Sequence, residues 1–394
     1  MIEKLYQEFL DNNPYPRRLK SLSKIQNSKK VIFEGKSYID FSSSDYLGLA
    51  DHPLLIERVK EYTDRYGASV SSSRLVTGNF DYQENLENKL ALALKKPSAL
   101  ILPTGYQTNI SVLESLLNKT ILQNLPLVFA DRLCHSSVLS AGQHAEMFRF
   151  QHNDYEHLEN LLNKHANKSV PKFILTETVF SMEGDRCDLS KLIYLSQKYN
   201  AHLYIDDAHG IGVYGENGWG EPSGYAQDIF VTMGTFSKAL GCLGGFVGCS
   251  ETVKQYLINK CKGIIYSTGI SPPMLGAISA VLDLVPTLQY ERERLQSIST
   301  YVRNAFRNLG LNISNSNTHI IPWIIGDFNQ TQRMSKLLQR DGILATAIHP
   351  PTVKVAQSRI RFCISAAHTD NDIEHLIYAI QQCRKQITLH ADIS

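Results

Sequence analysis

The sequence predicts an α/β fold, and three observations point to it. Short runs that are apolar at nearly every position recur through residues 99–248, as in strands buried on both faces of a mostly parallel sheet. Helical patterns lie between them, such as residues 82–94, with leucines on one stripe. Strands alternating with helices predict a layered α/β domain. The predicted strands are Ala99–Leu102, Leu127–Ala130, Phe173–Thr176, Leu203–Asp206, Ile229–Met233 and Gly245–Gly248.

The third observation is a change of pattern after Pro273. A long polar-striped helix is predicted over Tyr290–Leu309, followed by strands over His319–Ile325 and Arg359–Ile364 and a closing helix after Thr369. This is typical of a smaller α+β domain, and 394 residues exceed what one core usually holds. We therefore predict a ligand site in the cleft between two lobes. The predicted parts are residues 1–45 as an N-terminal segment associated with the small domain, 46–285 as the large domain and 286–394 as the small C-terminal domain.

Composition narrows the class of protein. Hydrophobic residues make up 43% and charged residues 20%, and the formal net charge is +2. A balanced charge gives no bulk attraction to nucleic acid or to an anionic membrane, so neither is an expected partner. No run approaches the ~18 apolar residues of a membrane span, and the N-terminus lacks a signal-peptide pattern. The seven scattered cysteines form no CxxC pair, which predicts reduced thiols in the cytoplasm and no metal site.

Two segments carry the strongest chemical signals. Lys238 follows a predicted strand and precedes a glycine-rich turn. A surface lysine is the ordinary interpretation, but a desolvated lysine can form an imine with an aldehyde cofactor. Asp206 ends another predicted strand in the run YIDDAHG, where α/β proteins bind ligands. A carboxylate there can hold the nitrogen of a pyridine ring protonated. A helix cap or a metal ligand would explain one aspartate, but not His209 and Lys238 as well.

Three further strand ends add weaker signals. Gly105 and Tyr106 begin a helix whose exposed N–H groups could bind a phosphate. His135 could stack on an aromatic ring, although a structural histidine is as good an interpretation of it alone. Ser181 could donate to a ring hydroxyl or cap a turn. Together, the five strand ends offer the groups that one pyridoxal 5'-phosphate (PLP) needs.

The ordered motifs resemble the fold type I PLP-dependent transferases, and among them the α-oxoamine synthases. Counterparts are found from Phe41 to His368 for FSSSDYLGL, TETVFSMEGD, DDAHGIGVYGENGWG, TFSKALG, IIYSTGISPP, AIHPPTV and RIRFCISAAH. The resemblance implies a large domain with a mostly parallel seven-stranded sheet, a smaller α+β C-terminal domain, PLP as cofactor and a homodimer with a shared active site. AIHPPTV and SAAHT most resemble members that condense L-alanine with pimeloyl-CoA or pimeloyl-acyl carrier protein.

The resemblance also implies roles for individual residues. Lys238 would carry PLP and move protons, Asp206 would pair with the ring nitrogen and His135 would stack on the ring. His209 and Ser181 would contact the side of the ring hydroxyl. The implied phosphate contacts are Gly105, Tyr106 and Thr235, with Ser267 and Thr268 reaching the neighbouring subunit's phosphate. The implied substrate contacts are Arg18, Ser44, Thr352 and Arg361, with Arg359 as the rival of Arg361 for the amino-acid carboxylate.

The chain departs from the family pattern at three places. Ser44 replaces an asparagine, the customary glycine-rich loop is the serine-rich run of residues 68–78, and Gln83 replaces a histidine. These departures keep open a sister synthase that uses glycine or another acyl group. An aminotransferase, a cysteine desulphurase and a non-catalytic binding protein on the same fold are the broader alternatives.

Overall fold

The fully apolar runs form buried strands, as their pattern predicts. The computed structural model describes residues 1–391, with the backbone alone for 386–391. The strands are β1 (Leu22–Lys24), β2 (Lys30–Phe33), β3 (Lys36–Asp40), β4 (Ser98–Leu102), β5 (Leu127–Asp131), β6 (Glu146–Phe150), β7 (Lys172–Glu177), β8 (Ala201–Asp206), β9 (Val231–Thr235), β10 (Gly245–Cys249), β11 (Ile320–Gly326), β12 (Ile343–Leu344), β13 (Thr346–Ile348) and β14 (Ser358–Cys363).

Helices occupy most of the segments between the strands. They are α1 (Ile2–Asp11), α2 (Pro53–Tyr66), α3 (Asp81–Ala93), α4 (Gly105–Leu116), α5 (Ser136–Leu139), α6 (Tyr155–Lys164), α7 (Leu189–Lys198), α8 (Glu251–Lys260), α9 (Lys262–Ile265), α10 (Pro272–Leu284), α11 (Gln289–Asn308), α12 (Phe328–Arg340) and α13 (Asp370–Ala391). No helix within residues 1–391 is both long and apolar enough to cross a lipid bilayer.

Residues 44–297 form one compact unit around a seven-stranded sheet. Its strand order is β4-β10-β9-β8-β7-β5-β6, and β10 alone runs antiparallel to its neighbours. The core of this unit includes Val128, Ile174 and Leu203 from adjacent strands, all buried. Because β5, β7, β8 and β9 are parallel, their carboxyl ends meet at one edge, where the polar residues that follow them gather.

Residues 1–43 and 298–391 form the second compact unit. It contains a four-stranded sheet, β1-β2-β3-β12, and a three-stranded antiparallel sheet, β11-β14-β13. The two units divide at Ser43/Ser44 and Ser297/Ile298, and α11 runs through the second division without a break. The mostly parallel seven-stranded sheet and the smaller α+β part are confirmed. The domain boundaries at 45/46 and 285/286 stay a prediction.

Candidate active site

The turn after β4 opens a cavity at the sheet edge. Thr104 caps α4, since its hydroxyl oxygen accepts the Gln107 N–H at 3.1 Å. The N–H groups of Gly105 and Tyr106 precede the first residue that can bond within the helix, so they face outward from its end. Seven predicted cofactor residues line one cavity of about 260 Å³ there: Gly105, Tyr106, His135, Asp206, His209, Thr235 and Lys238.

Asp206 is fixed by hydrogen bonds to both of its carboxylate oxygens. Asn109 donates from Nδ2 to Oδ2 at 2.7 Å, and the Ala208 N–H donates to Oδ1 at 2.9 Å. Asn109 also donates to the Ser137 hydroxyl at 3.0 Å and accepts the Tyr204 hydroxyl at 2.7 Å. This buried network holds the plane of the Asp206 carboxylate at one orientation.

His135 is held at the start of α5 by three contacts. Its Nδ1 accepts the Ser137 N–H at 3.3 Å and lies 2.7 Å from the Ser137 hydroxyl. Its own N–H donates to the Glu177 carboxyl group. Burial lowers the pKa of His135, and the nearby Lys238 lowers it further against the opposing effect of Asp206. His135 is therefore a neutral imidazole near pH 7, suited to lie against an aromatic ring.

Two other acids at these strand ends are buried. Burial raises the pKa of Glu177 well above its usual range, and the neighbouring Asp206 raises it further. Burial likewise raises the pKa of Asp207, although the hydroxyl of Thr178 donates to that carboxyl group and opposes the shift. In both groups burial thus disfavours the charged form.

The lysine side of the cavity is built by the turn after β9. The Thr235 hydroxyl donates to the Gly244 carbonyl at 2.7 Å and lies 2.8 Å from the Ser237 hydroxyl. Ser237 and Lys238 both line the cavity. The strand ends at Thr235, two residues beyond the predicted end at Met233, so this part of the prediction was wrong.

His209 is positioned from a distant part of the same unit. A hydrogen bond of 2.7 Å joins its Nδ1 to the Tyr46 hydroxyl, and Tyr46 is fully buried. Tyr46 belongs to the segment that begins with Ser44, whose carbonyl accepts the Tyr46 N–H at 2.9 Å.

Three predicted cofactor residues do not line the cavity. Ser181 lies in the turn after β7. Ser267 and Thr268 lie in the segment between α9 and α10, where Ser267 is half-buried and Thr268 is exposed. The predicted contacts of these three with PLP stay predictions.

The remaining predicted substrate residues belong to the second unit. Arg18 and Thr352 line a cavity of about 850 Å³ within it. Arg17, which the sequence did not single out, donates from Nη2 to the Thr352 hydroxyl at 3.1 Å. Arg359 and Arg361 lie two residues apart on β14 and so share one face of that strand, as predicted. Arg359 is buried and Arg361 is half-buried.

Comparison with known proteins identifies the family. The model described as aminotransferase class I and II matches residues 36–380, which is most of the chain. The chain belongs to the class I and II aminotransferase family.

Two curated relatives within this family have informative names. An 8-amino-7-oxononanoate synthase from Gluconacetobacter diazotrophicus is 40% identical over 387 residues, covering 97% of each chain. A relative from Paramagnetospirillum magneticum, provisionally given the same name, is 47% identical over 354 residues, covering 89% of this chain and 90% of its own.

A solved serine palmitoyltransferase described as holding PLP is 25% identical, with a TM-score of 0.89 and coverage of 98% of this chain and 97% of its own. The chain is a PLP-dependent acyltransferase of fold type I, which confirms the predicted fold, cofactor and enzyme class.

The residues of the cavity fit PLP. A Cβ at Gly105 would lie 3.1 Å from Thr235 Oγ1 and 3.2 Å from the Met233 methyl carbon, so glycine keeps the space between turn and sheet open. The cavity offers the amine of Lys238, the carboxyl group of Asp206, the imidazole of His135 and a helix start, which match the aldehyde, ring nitrogen, ring face and phosphate of the cofactor.

Sequence reasoning missed several residues that shape this site. Each of five contacts a predicted site residue or lines the cavity: Asn109, Ser137, Glu177, Ser237 and Tyr46. Tyr204 acts through Asn109, to which its hydroxyl donates. A usable signal existed for Asn109, which lies four residues after Gly105 and hence on the same face of α4.

Proposed function

We propose that the protein condenses L-alanine with a pimeloyl thioester to give 8-amino-7-oxononanoate, CO2 and the free thiol, in the biosynthesis of biotin. The acyl group would be carried by CoA or by acyl carrier protein. The names of the curated relatives support this reaction. The observation that carries the proposal is that Lys238, Asp206 and His135 line one cavity with the helix start at Gly105.

Each residue of the cavity has a proposed part in holding PLP. Asp206 would hold the proton on the ring nitrogen, because both its oxygens are already oriented by N–H donors. The neutral His135 would lie on the ring face. Gly105 and Tyr106 would donate backbone N–H groups to the phosphate, and Thr235 would contact it with its hydroxyl. His209 and Ser181 would contact the side of the ring hydroxyl.

Lys238 would perform the proton transfers. When bound, PLP supplies an electron sink for the electron pair left at the alanine Cα. Lys238 Nζ would hold the cofactor covalently before alanine binds. Once released, the same amine would take the proton from Cα and later return one to it.

Residues of the second unit would recognise the substrates. Arg361 would bind the alanine carboxylate, since guanidinium matches a carboxylate with two parallel hydrogen bonds. Arg359, its rival, donates from Nε to the Gln357 carbonyl at 3.1 Å, which is a structural contact. Arg18 and Thr352 would contact the acyl thioester, as would Ser44 of the first unit.

The proposed assembly is a cytoplasmic homodimer. Ser267 and Thr268 do not line the cavity of their own chain, and we propose that they contact the phosphate in the neighbouring subunit. All seven cysteines are free thiols, which fits a reducing compartment.

The test begins with absorption spectra of the purified protein loaded with PLP. Borohydride reduction and peptide mass spectrometry should place the cofactor on Lys238, and Lys238→Ala should abolish that attachment. L-Alanine should change the spectrum, and alanine with pimeloyl-CoA or pimeloyl-acyl carrier protein should yield 8-amino-7-oxononanoate by mass spectrometry.

Glycine and L-serine serve as matched controls for alanine. A product from glycine or serine, with none from alanine, would replace the proposal by a sister synthase, the alternative that Ser44 and the serine-rich loop of residues 68–78 keep open. Conversion of PLP to its amine form by an amino acid alone would indicate an aminotransferase. A protein that binds no PLP would refute the proposal and favour a non-catalytic function.

A further inference from the structure

The serine-rich loop of residues 68–78 is bound to the segment of residues 267–269. Ser73 and Thr268 form an isolated antiparallel bridge between the two. Within the loop, the N–H groups of Val76 and Gly78 both donate to the Ser73 carbonyl, at 3.1 and 3.0 Å. The backbone of Ser73 is therefore the point where the loop meets the other segment.

Close packing of glycines strengthens this connection. The Gly269 N–H donates to the Ser72 carbonyl at 2.9 Å. A Cβ at Gly269 would lie 3.0 Å from the Gly78 carbonyl oxygen and 3.1 Å from Val70 Cγ2. A Cβ at Gly78 would lie 2.4 Å from the Ser72 carbonyl oxygen. The two backbones approach so closely that a shift of one displaces the other.

Arg74, the next residue after the bridge, anchors the loop to the interior of the unit. Its Nη1 and Nη2 donate to the two carboxylate oxygens of Glu87 at 2.5 and 3.2 Å. Its Nε donates to Asn79 Oδ1 at 2.8 Å, and Asn79 in turn donates to Glu84 at 2.6 Å. These bonds use all three nitrogens of the planar guanidinium, an arrangement that a lysine ammonium cannot reproduce.

Glu87 gives the anchor its rigidity. Its side chain is 1% exposed, against 11% for Arg74, and it lies on α3. Its Oε1 accepts the Ile101 N–H on β4 at 2.9 Å, so the carboxylate is attached to the central sheet. Lys254 adds a second cation, with Nζ 3.4 Å from Oε2. A buried carboxylate with two cations and a backbone donor is strongly fixed, because removing one partner leaves charge uncompensated in the interior.

We propose that Arg74 is a positioning residue for Ser267 and Thr268, and that through them it acts on the active site of the neighbouring subunit. The inference rests on the proposed function, in which these two residues contact the partner's phosphate. A chain of contacts connects β4 to Thr268: β4 donates to Glu87, Glu87 accepts from Arg74, and Ser73, the neighbour of Arg74, forms the backbone bridge to Thr268. Serines replace the customary glycines in this loop, but the anchor and the bridge keep its backbone in one place.

The first measurement is the affinity for PLP of the full-length dimer. Arg74→Gln should weaken PLP retention by about tenfold, the order expected when a hydrogen bond to a charged group is lost. Arg74→Lys keeps a positive charge beside Glu87 but loses the paired hydrogen bonds. Its PLP retention should lie between that of Arg74→Gln and that of wild type. Arg149→Gln is the matched control, because Arg149 is exposed and lies on β6 at the opposite edge of the sheet from β4. It should leave PLP retention unchanged.

Hybrid dimers then test on which subunit Arg74 acts. Lys238→Ala subunits are inactive alone under the proposed function. In a hybrid of Lys238→Ala with Arg74→Gln, one site combines an intact Lys238 with an intact Arg74 from the partner. That site should bind PLP with wild-type affinity and restore about half of the wild-type activity. If Arg74 acts on its own subunit's site, the one site with an intact Lys238 keeps the roughly tenfold weaker PLP affinity of the Arg74→Gln dimer.

The outcomes separate the inference from the proposed function. A wild-type protein without PLP would refute the proposed function itself. If the wild-type protein binds PLP, the inference alone is overturned in either of two cases: Arg74→Gln retains PLP equally well, or the hybrids do not regain wild-type PLP affinity. If neither Arg74 variant yields a folded dimer, even in hybrids, Arg74 supports the whole unit, and the inference is equally overturned.

Discussion

Replacement of Asn109 by alanine is the sharpest test of the network around Asp206. The side chain of Asn109 is buried and bonds three partners: the carboxylate of Asp206, the hydroxyl of Ser137 and the hydroxyl of Tyr204. Asn109→Ala removes all three bonds at once. It also leaves the Tyr204 hydroxyl buried without its acceptor.

The expected cost follows from these contacts. Loss of the hydrogen bond to a charged carboxylate costs about 1.5–3 kcal/mol, and loss of the bond to Ser137 about 1 kcal/mol. A buried hydroxyl without a partner at Tyr204 adds about 1–3 kcal/mol. We therefore expect Asn109→Ala to lower the free energy of unfolding by about 3.5–7 kcal/mol.

A double-mutant cycle isolates the contribution of Tyr204. Tyr204→Phe alone leaves Asn109 Oδ1 without its donor, which costs about 1–2 kcal/mol. In the double variant neither orphaned group remains, so the combined loss should be smaller than the sum by about 1–2 kcal/mol. Urea unfolding of the four proteins, followed at one PLP concentration, measures each value.

If the stability losses of Asn109→Ala and Tyr204→Phe add up to that of the double variant within about 0.5 kcal/mol, the two side chains are not coupled and the reasoning is refuted. That result would mean that Asn109 and Tyr204 contribute independently. The network could then not be what fixes the Asp206 carboxylate. A loss below about 1 kcal/mol for Asn109→Ala would contradict the burial argument in the same way.

Three further predictions concern single side chains. Glu177→Gln should be tolerated. Because the pKa of Glu177 is raised on folding, the wild-type protein loses stability as pH rises above 4.5, and glutamine, which does not titrate, avoids this loss. In urea unfolding, the free energy of unfolding of the variant should therefore rise relative to that of wild type between pH 4.5 and 8. Burial alone would lower the pKa of His152, but hydrogen bonds to Asp131 and Asp185 raise it to about 10. His152→Gln should thus destabilise most below pH 6.5, and the deficit in unfolding free energy should shrink as pH approaches 10. Gly105→Ala should weaken PLP binding in a fluorescence titration, with little change in Tm, because the added methyl group fills the space beside the helix start.

The fold could be predicted where a strand is apolar on both faces, and less well elsewhere. The runs around Val128, Ile174 and Leu203 became central strands close to the predicted bounds. β6, with the sequence EMFRF, was missed because it is an edge strand with only one buried residue. β9 was placed two residues early because Gly234 does not resemble a strand residue. A Cβ at Gly234 would lie 2.2 Å from the Phe246 ring, so the pairing with β10 requires glycine there.

The site could be predicted where a residue follows a strand, because strand ends converge at one edge of a parallel sheet. Lys238, Asp206 and His135 were found in this way and line one cavity. Asn109 and Tyr46 were missed because their partners lie 97 and 163 residues away in the chain, and no local pattern connects them. Contacts at such separations are set by tertiary packing, which a single sequence does not display.

The three acids at the ends of β7 and β8 show how burial and hydrogen bonding give neighbouring carboxyl groups different properties. Glu177, Asp206 and Asp207 are all buried, and three carboxylates so close together would repel one another strongly. Burial raises the pKa of Glu177 and of Asp207 well above their usual range. Each carboxyl oxygen of Asp206 accepts one N–H donor, from the Asn109 side chain and from the Ala208 backbone. Packing therefore treats the three acids differently: burial disfavours the charged forms of Glu177 and Asp207, whereas Asn109 and the Ala208 backbone orient the carboxyl group of Asp206 at the cavity.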